Sequence, residues 1–464
     1  MLSTQSLKEQ HVAVLAFPFG SHNQAILGLA CRLAVAAPNL QFSFFTTPKS
    51  NDSIFSTFKL NVPIPNNIRA YNVEDGVPIN HVFSGNPVER LDLFLKAAPE
   101  NFRKALDIAI RETGRNVSCL VTDLFLAFAA DMAEHMQATW IPVCVSIPQS
   151  LSAHIYTDVI RRLFGDVGLG GKFQHQTLEM IPGLSPMQVM DLSEEILPRH
   201  PKETFFSYTL SKIRCVLPRS TAIVMGFCQE LYPTPLLADL KSKFPALLNV
   251  GFLTQQLPPP PLPPSDSDVT GCLSWLDKQS PNSVMYISFG TAAAPPVEEL
   301  KALAEAVEES GVLFLWSLNA EHKHHLPDGF LQRTSKQGKL VPWAPQTMVL
   351  GHASTGVFLT HSGASSVFES IANGVPMICR PMFGDHAMIG RAVEEIWGIG
   401  VRVEGNVFTK SGILKSLKVV LGEEEGWQMR ERITALRELV LKAAEPSGTA
   451  SQDFTTLLQA ILNS

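Results

Sequence analysis

The sequence predicts an α/β protein made of two Rossmann-like domains that face each other across a cleft. In both halves of the chain, short apolar runs alternate with helical patterns, as in parallel sheets covered by helices on both faces. A proline-rich stretch at 257–268 separates the halves, because such a stretch forms neither a helix nor a central strand. The 464 residues are 45% hydrophobic and only 17% charged, which is enough apolar material for two large cores.

The first half contains the elements of one such sheet. A helix predicted over 24–37 has an apolar face formed by Ile26, Leu27, Ala30 and Leu33. The apolar runs that predict strands are 12–17, 42–46, 118–122, 141–146 and 222–225. We therefore expect an N-terminal domain over residues 1–250, followed by a proline-rich linker over 251–268.

The second half shows the same alternation of predicted strands and helices. A helix is predicted over 298–309, between the first two strands of this half. The predicted strands are 284–289, 313–318, 357–360 and 377–379. These elements predict a C-terminal domain over 269–447 and leave 448–464 as a final helix.

Charge and motif content exclude several classes of function. The formal net charge of -6 argues against nucleic-acid binding, which needs a basic surface. Glycine-rich dinucleotide and Walker A signatures are missing after the predicted strands, and the seven cysteines have no metal-ligand spacing. The N-terminus is polar and no apolar run reaches about 20 residues. We expect a cytoplasmic protein that has no membrane span and acts on small molecules.

His22 and Asp123 are predicted to lie at the carboxyl edge of the first sheet, where open α/β sheets bind ligands. His22 lies between the first strand and the first helix, and the helix dipole there favours a neutral ring that can accept a proton. Asp123 ends a strand and could hold the other ring nitrogen. Each residue alone also fits a structural role, as a helix-entry residue or an N-cap. Together they form a candidate general-base dyad.

A strand-to-helix turn in the second half has the composition of a phosphate site. Small residues at 361–366 allow backbone N–H groups to approach a phosphate, and the helix dipole favours its charge. His361, Ser365 and Ser366 could donate further hydrogen bonds.

The flanking residues fit the rest of a sugar nucleotide. Trp343 offers a flat face for a base, and Glu369 could accept hydrogen bonds from two ribose hydroxyls. Asp385 and His386 supply polar groups suited to a polyol. This set in this order predicts a nucleotide-sugar site.

These motifs together resemble the donor-binding signature of plant UDP-sugar-dependent glycosyltransferases. The motifs that carry the resemblance are WAPQ, the HxxxG pattern at 352–356, FLTHSGASSVFES and GVPMICRPMFGDH. Further matches extend over nearly the whole chain: FPFGSH, YNVEDGVP, CLVTD, SVMYISFGT and DFTTLLQ. The sequence is most similar to the flavonoid and anthocyanidin 3-O-glycosyltransferase branch.

The resemblance implies the GT-B glycosyltransferase fold and an inverting transfer from a UDP-sugar to a small hydrophobic acceptor. His22, held by Asp123, would deprotonate the acceptor hydroxyl, and UDP would leave the anomeric carbon. The final helix would cross back to the first domain. The UDP-sugar would be a co-substrate, with no metal and no other cofactor, and a monomer is expected.

The resemblance also implies individual roles at the donor site. Trp343 would stack on uracil and the Ala344 backbone would read its edge, while Gln346 and Glu369 would hold the ribose. The remaining donor positions are Thr291 and His361 at the diphosphate, Gly363, Ser365 and Ser366 in the turn, and Asp385 and His386 at the sugar. Histidine at 386, where glucose-using members usually carry glutamine, suggests galactose.

The acceptor positions and the departures from the family pattern lie elsewhere. His154, Phe383, Val88 and Val145 match acceptor-pocket positions, and at the two valines the family has polar residues. Where the family motif reads HCGWNS, Ala364 and Ser365 replace tryptophan and asparagine. Two more family asparagines are replaced, by Ile389 and by Gly226.

Three interpretations stay open at this point. The first is an active glycosyltransferase that modifies a flavonoid-like or other phenolic acceptor. The second is an enzyme on the same scaffold that uses His22 as acid or base for a cyclisation or isomerisation of a small hydrophobic metabolite. The departures motivate it, because losing one donor to a reacting group costs about 10²-fold in rate. The third, a ligand-binding protein, leaves the dyad unexplained.

Overall fold

The computed structural model describes residues 10–61, 64–86, 88–165, 173–198, 204–262, 268, 270–290, 294–422 and 424–464. Their contacts divide the chain into two compact units. Unit 1 comprises the described residues of Met1–Phe173, Glu194–Thr254 and Glu445–Ser464, and unit 2 those of Gln174–Ser193 and Gln255–Ala444. Each unit contains one sheet.

The sheet of unit 1 has seven strands within the described residues, in the order β3-β2-β1-β4-β5-β6-β7. All paired neighbours are parallel. The strands are β1 (His11–Leu15), β2 (Gln41–Thr46), β3 (Ile68–Asn72), β4 (Val117–Asp123), β5 (Thr139–Cys144), β6 (Ile223–Met225) and β7 (Leu247–Asn249). The central strands are buried along their length, which is why they are apolar without alternation.

Ten α-helices of the described residues belong to unit 1. They are α1 (His22–Ala36), α2 (Pro48–Asn61), α3 (Glu89–Thr113), α4 (Ala129–Met136), α5 (Pro148–Ile155), α6 (Thr157–Phe164), α7 (Phe205–Ser211), α8 (Ile213–Val216), α9 (Thr234–Lys243) and α18 (Thr449–Leu462). The core packs α1 against the sheet through Ile26, Leu27 and Leu33, which are fully buried.

The C-terminal helix α18 completes unit 1. Leu457 and Ile461 are fully buried in the same core as β1 and α1. The backbone N–H of Asn249, at the end of β7, donates to Oδ2 of Asp453 at 2.7 Å. Gln10 donates from Nε2 to the backbone oxygen of Ser464 at 2.7 Å. Gln10 and the C-terminal residue therefore lie close together in unit 1.

The sheet of unit 2 has six parallel strands in the described residues, in the order β10-β9-β8-β11-β12-β13. The strands are β8 (Val284–Ser288), β9 (Leu313–Ser317), β10 (Gly338–Val341), β11 (Thr355–Thr360), β12 (Met377–Cys379) and β13 (Gly400–Arg402). The helices are α10 (Cys272–Leu276), α11 (Val297–Ser310), α12 (Phe330–Arg333), α13 (Gln346–Leu350), α14 (Ala364–Asn373), α15 (His386–Arg391), α16 (Lys410–Leu421) and α17 (Glu425–Ala443). A π-helical turn, Ala392–Ile396, continues α15.

The α/β fold with two Rossmann-like sheets is confirmed. The division of the chain differs from the sequence-based boundaries by three or four residues near 250 and 447, and more widely at Gln174–Ser193, which lies in unit 2 although it precedes residue 250. The contacts of this segment with unit 2 include a buried ion pair between Asp191 and Arg391 of α15. Among the described residues, the helices are all too short or too polar to cross a lipid bilayer.

Candidate functional site

In unit 1, the predicted dyad lies at the point where the strand order reverses. The chain passes from β1 outward to β2 and β3, and then returns to the other side of β1 with β4. Leu15 of β1 pairs with Thr122 of β4, so the two strands end side by side. His22 begins α1 just after β1, and Asp123 is the last residue of β4. Ligands of open α/β sheets bind at such a reversal.

The two side chains are hydrogen-bonded. Nδ1 of His22 lies 2.8 Å from Oδ2 of Asp123, which is 1% exposed, while His22 is 23% exposed. The other carboxylate oxygen accepts from the backbone N–H of Phe125 at 2.9 Å. Because a carboxylate only accepts, Nδ1 carries the ring proton and Nε2 is the basic nitrogen. The pair has the geometry of a base with its orienting group.

Five phenylalanines, here called the aromatic group, surround this dyad. Its members are Phe17, Phe19, Phe94, Phe125 and Phe206.

The His22 ring lies 4.9 Å from the ring of Phe125 and 5.3 Å from that of Phe17. Phe125 also contacts Phe206 at 5.8 Å. Phe94 of α3 contacts both Phe17 and Phe19. The base therefore lies in an apolar environment with flat aromatic faces.

The predicted acceptor residues are found in different settings. His154 on α5 is buried and its ring lies 6.0 Å from that of Phe125, so the structure brings it to the aromatic group. Val145 follows β5 and packs against the core of unit 1. Val88 lies just before α3 at its N-cap. Phe383 belongs to unit 2, where it is half exposed and contacts the ring of His386 at 4.5 Å.

The strand order of unit 2 reverses between β8 and β11, and the predicted phosphate turn follows β11. Ser362 has φ +65°, an unusual conformation for a residue other than glycine, and Gly363 caps α14. The first turn of α14 contains no acidic residue and no side chain caps it. Its backbone N–H groups therefore point toward a position suited to an anion.

His361 and His386 form a pair of neutral rings beside this turn. Their ring centroids are 4.9 Å apart. Burial lowers the pKa of His386 to about 4, and burial together with the neighbouring His386 lowers the pKa of His361 to about 3. Within the described part of the chain, Nδ1 of His386 and the hydroxyl of Thr360 make no hydrogen bond, whereas the His361 ring interacts with the backbone of Ser288. Buried polar atoms without partners are costly, which is expected where a ligand supplies the partner.

Two glycines leave room for the His361 ring. A Cβ at Gly363 would collide with Nε2 of His361, and a Cβ at Gly290, which has φ +72°, would lie 3.0 Å from its Cε1. The ring is therefore held in a narrow slot between the ends of β8 and β11.

The residues predicted for the ribose come together. Nε2 of Gln346 donates to Oε2 of Glu369 at 2.8 Å and to the hydroxyl of Ser366 at 3.0 Å. Tyr286 donates from its hydroxyl to Oε1 of Gln346 at 3.3 Å. Glu369 is 6% exposed, so its carboxylate is held in a fixed polar cluster.

The other predicted donor residues precede or follow this cluster along the chain. Trp343 is 46% exposed and Ala344 is buried, both between β10 and α13. Ser365 is in the first turn of α14, and Asp385 caps α15. Thr291 lies outside the described residues.

The departures from the family pattern have different packing consequences. Ala364 opens α14, whereas Ile389 is fully buried inside unit 2. A Cβ at Gly226 would lie 2.9 Å from Cδ1 of Leu253, so an asparagine there would require Leu253 to move.

Sequence reasoning missed the aromatic group, because three of its members come from two loops, after β1 and after β4, and the other two from the helices α3 and α7. The described residues contain no group of three or more His, Cys, Asp or Glu side chains that could hold a metal ion.

Comparison with known proteins gives consistent matches. A family model described as UDP-glucoronosyl and UDP-glucosyl transferase matches residues 258–438. An anthocyanidin 3-O-glucosyltransferase from Vitis vinifera is 46% identical over 458 residues, covering 99% of this chain and 98% of that protein. An anthocyanidin 3-O-galactosyltransferase from Actinidia chinensis var. chinensis is 48% identical over 464 residues, covering 99% of each.

The crystal structure of a UDP-glucose: anthocyanidin 3-O-glucosyltransferase in complex with UDP is similar to the whole chain. Its TM-score is 0.91 at 43% sequence identity, covering 98% of this chain and 100% of that one.

Proposed function

The chain belongs to the UDP-glycosyltransferase family, and we propose that it transfers a hexose from a UDP-sugar to a hydroxyl of a flavonoid-like or phenolic small molecule. The observation that carries this proposal is the His22–Asp123 hydrogen bond within the aromatic group. A basic nitrogen in an apolar, aromatic environment suits deprotonation of a hydroxyl on a planar molecule.

The proton of the acceptor hydroxyl moves to Nε2 of His22 as the acceptor oxygen bonds to the anomeric carbon. The bond between that carbon and the diphosphate oxygen breaks, and UDP leaves with the electron pair. Attack opposite the leaving group inverts the anomeric configuration. Asp123 stabilises the imidazolium that forms, because its carboxylate lies 2.8 Å from Nδ1.

The nucleoside is held by residues between β10 and the first turns of α14. Trp343 stacks on the base, and its 46% exposure supports this role because a flat face is accessible. The Ala344 backbone reads the edge of the base. Gln346 and Glu369 bind the ribose hydroxyls, and their mutual hydrogen bond fixes the geometry in advance.

The diphosphate binds at the N-terminal turn of α14. The N–H groups at Gly363, Ser365 and Ser366 and the helix dipole favour its negative charge. The neutral His361 ring supplies a hydrogen bond, and Thr291 is a further partner in the family pattern.

Asp385 and His386 hold the hydroxyls of the sugar. Because its pKa is about 4, His386 is neutral at pH 7 and can act as donor or acceptor. Because of His386, we propose that UDP-galactose is the preferred donor, and the similarity to the galactosyltransferase from Actinidia chinensis var. chinensis supports that choice.

The acceptor lies against the aromatic group, with His154 beside it. Val88 and Val145 replace polar residues of the family, so a less hydroxylated or more apolar acceptor is favoured over a polyhydroxylated one. Phe383 of the donor unit is the remaining acceptor position.

Purified protein incubated with UDP-galactose or UDP-glucose and a panel of flavonols and simpler phenols tests the proposal. We expect a glycoside and an equal amount of UDP, and we expect His22→Ala to lower kcat by about 10²- to 10⁴-fold. Neither glycoside nor UDP with any pair would overturn it. Conversion of an acceptor without any donor would favour the cyclisation or isomerisation hypothesis instead.

A further inference from the structure

A buried carboxylate in unit 2 binds two arginines, Arg391 at the end of α15 and Arg402 in β13. Asp191 is 1% exposed, and its Oδ2 accepts a hydrogen bond from Nε of Arg391. Its Oδ1 accepts from Nη1 of Arg402 at 3.2 Å. Arg391 and Arg402 are only 7% and 14% exposed. A buried charge persists in a protein only when it is paired and hydrogen-bonded in this way.

The carboxylate is held rigidly by its own segment. Gln188 donates its backbone N–H to Oδ2 of Asp191 at 2.8 Å, and its side-chain oxygen accepts from Nη2 of Arg391 at 2.9 Å. Leu184 and Met187 anchor the same segment, since both are fully buried. The segment therefore presents two fixed acceptors to one guanidinium.

Arg402 extends the contact to the residues that follow α15. Its Nε donates to Oε2 of Glu394 at 2.8 Å, and its backbone N–H donates to Oε1 of the same residue at 3.0 Å. Glu394 lies in the π-helical turn that continues α15. The C-terminal end of α15 is thus held by a cluster of two arginines and two carboxylates, namely Arg391, Arg402, Asp191 and Glu394.

The other end of α15 begins with His386, and Asp385 caps it. A helix of six residues is too short to be stable alone, so its orientation depends on tertiary contacts, which include the buried side chains of Met388 and Ile389 and the ion pair of Arg391 at its C-terminal end. A misplacement of about 1 Å at a binding group can cost about 10²-fold in rate. The ion pair between Asp191 and Arg391 therefore affects where the side chains of Asp385 and His386 lie.

We propose that Asp191 is a positioning residue for recognition of the sugar, acting through Arg391 and α15 on Asp385 and His386. The inference rests on the proposed function. It assigns a donor-side role to a segment, Gln174–Ser193, that precedes the proline-rich linker in sequence.

Asp191→Asn tests this inference, because it keeps the size of the side chain and removes its charge. We expect the KM for the UDP-sugar to rise about tenfold and the preference between UDP-galactose and UDP-glucose to narrow. The Kd for UDP, measured by calorimetry, should stay within about twofold, since the proposed nucleoside residues lie between β10 and the first turns of α14, outside α15. A parallel loss of UDP affinity, or an unchanged sugar preference, would overturn the proposal.

Asp453→Asn is the control, because it removes a partly buried carboxylate that also accepts a backbone hydrogen bond, but in unit 1. It should change stability without changing the sugar preference. If Asp191→Asn does not fold, Arg391→Lys keeps the charge but loses the forked contact, and the same direction of change is expected.

Hydrogen–deuterium exchange of residues 385–396 without ligand separates this inference from the proposed function. We expect about tenfold faster exchange there in Asp191→Asn than in wild type or Asp453→Asn. If wild type transfers sugar but this exchange is unchanged, the positioning role is wrong while the function stands. If wild type transfers no sugar, the proposed function fails, whatever the exchange shows, and the role in sugar recognition fails with it.

Discussion

Replacing Asp123 with asparagine removes the charge beside His22 while nearly keeping the shape of the side chain. The carboxylate is 1% exposed and lies 2.8 Å from Nδ1. An asparagine can offer an oxygen or an NH2 group to the ring, but neither stabilises the imidazolium that forms when the acceptor proton is transferred as strongly as a carboxylate does. Sugar transfer should therefore slow at its chemical step.

The expected decrease in kcat follows from the hydrogen bond between Asp123 and His22. A hydrogen bond to a charged group contributes about 1.5–3 kcal/mol. Since each 1.36 kcal/mol in the barrier changes a rate about tenfold, kcat should fall about 10- to 150-fold. The apolar surroundings of the dyad favour the upper end, because charges interact more strongly where water is excluded.

Steady-state kinetics with two acceptors of different acidity form the assay. With a flavonol, the full loss is expected, whereas a nitrophenol that is already ionised needs no base and should lose only a few-fold in kcat. The KM for the UDP-sugar should not change. Asp131→Asn on α4 is the control, because it removes an exposed carboxylate 2.7 Å from Arg219 and should affect neither acceptor.

An equal loss with both acceptors would refute this reasoning. Asp123 would then act on the fold of unit 1 rather than on the proton held by His22, and a lower melting temperature should accompany the loss.

Three further predictions concern the donor unit. His386→Gln should raise the ratio of kcat/KM for UDP-glucose to kcat/KM for UDP-galactose about tenfold, because one hydrogen bond to the sugar can change the preference by about that factor. An unchanged ratio would contradict the assignment of galactose. Because burial keeps the pKa of His386 near 4 and that of His361 near 3, the unfolded chain binds more protons below pH 6.5, so stability is lost as pH falls from 6.5 toward 4. The loss is at most about 1.4 kcal/mol per pH unit for each histidine. The melting temperature of wild type should therefore fall relative to His386→Gln between pH 7 and pH 5, and a constant difference would argue against the buried neutral ring. Gly363→Ala should weaken UDP binding about tenfold in calorimetry, because the added methyl displaces the His361 ring, and unchanged affinity would mean that this ring does not touch UDP.

Central strands were predictable from the sequence and edge strands were not. β1, β2, β4 and β5 are buried on both faces and read as continuous apolar runs. β3 has the burial of an edge strand, with three of its five residues exposed, and β13 has only three residues. The sequences of these two strands therefore do not differ from those of loops, and no strand was predicted there.

The dyad was predictable because Asp123 ends a strand and His22 begins the helix that follows the neighbouring strand, and parallel strands place their carboxyl ends at one edge. The aromatic group was not predictable, since 27 phenylalanines are spread over the chain and no spacing singles out Phe19, Phe94 or Phe206. The pairing of Asp191 with Arg391 joins residues 200 positions apart, and neither lies in a local motif. Only the fold brings such residues together.

The most direct test of the central claim, inverting sugar transfer, is the anomeric configuration of the product. Wild-type protein, UDP-galactose and a flavonol are incubated, and the purified glycoside is analysed by proton NMR. Because UDP-galactose carries an α linkage, direct attack by the deprotonated hydroxyl predicts a β-glycoside with one UDP released per glycoside. An α-glycoside, or release of UDP without any glycoside, would contradict it.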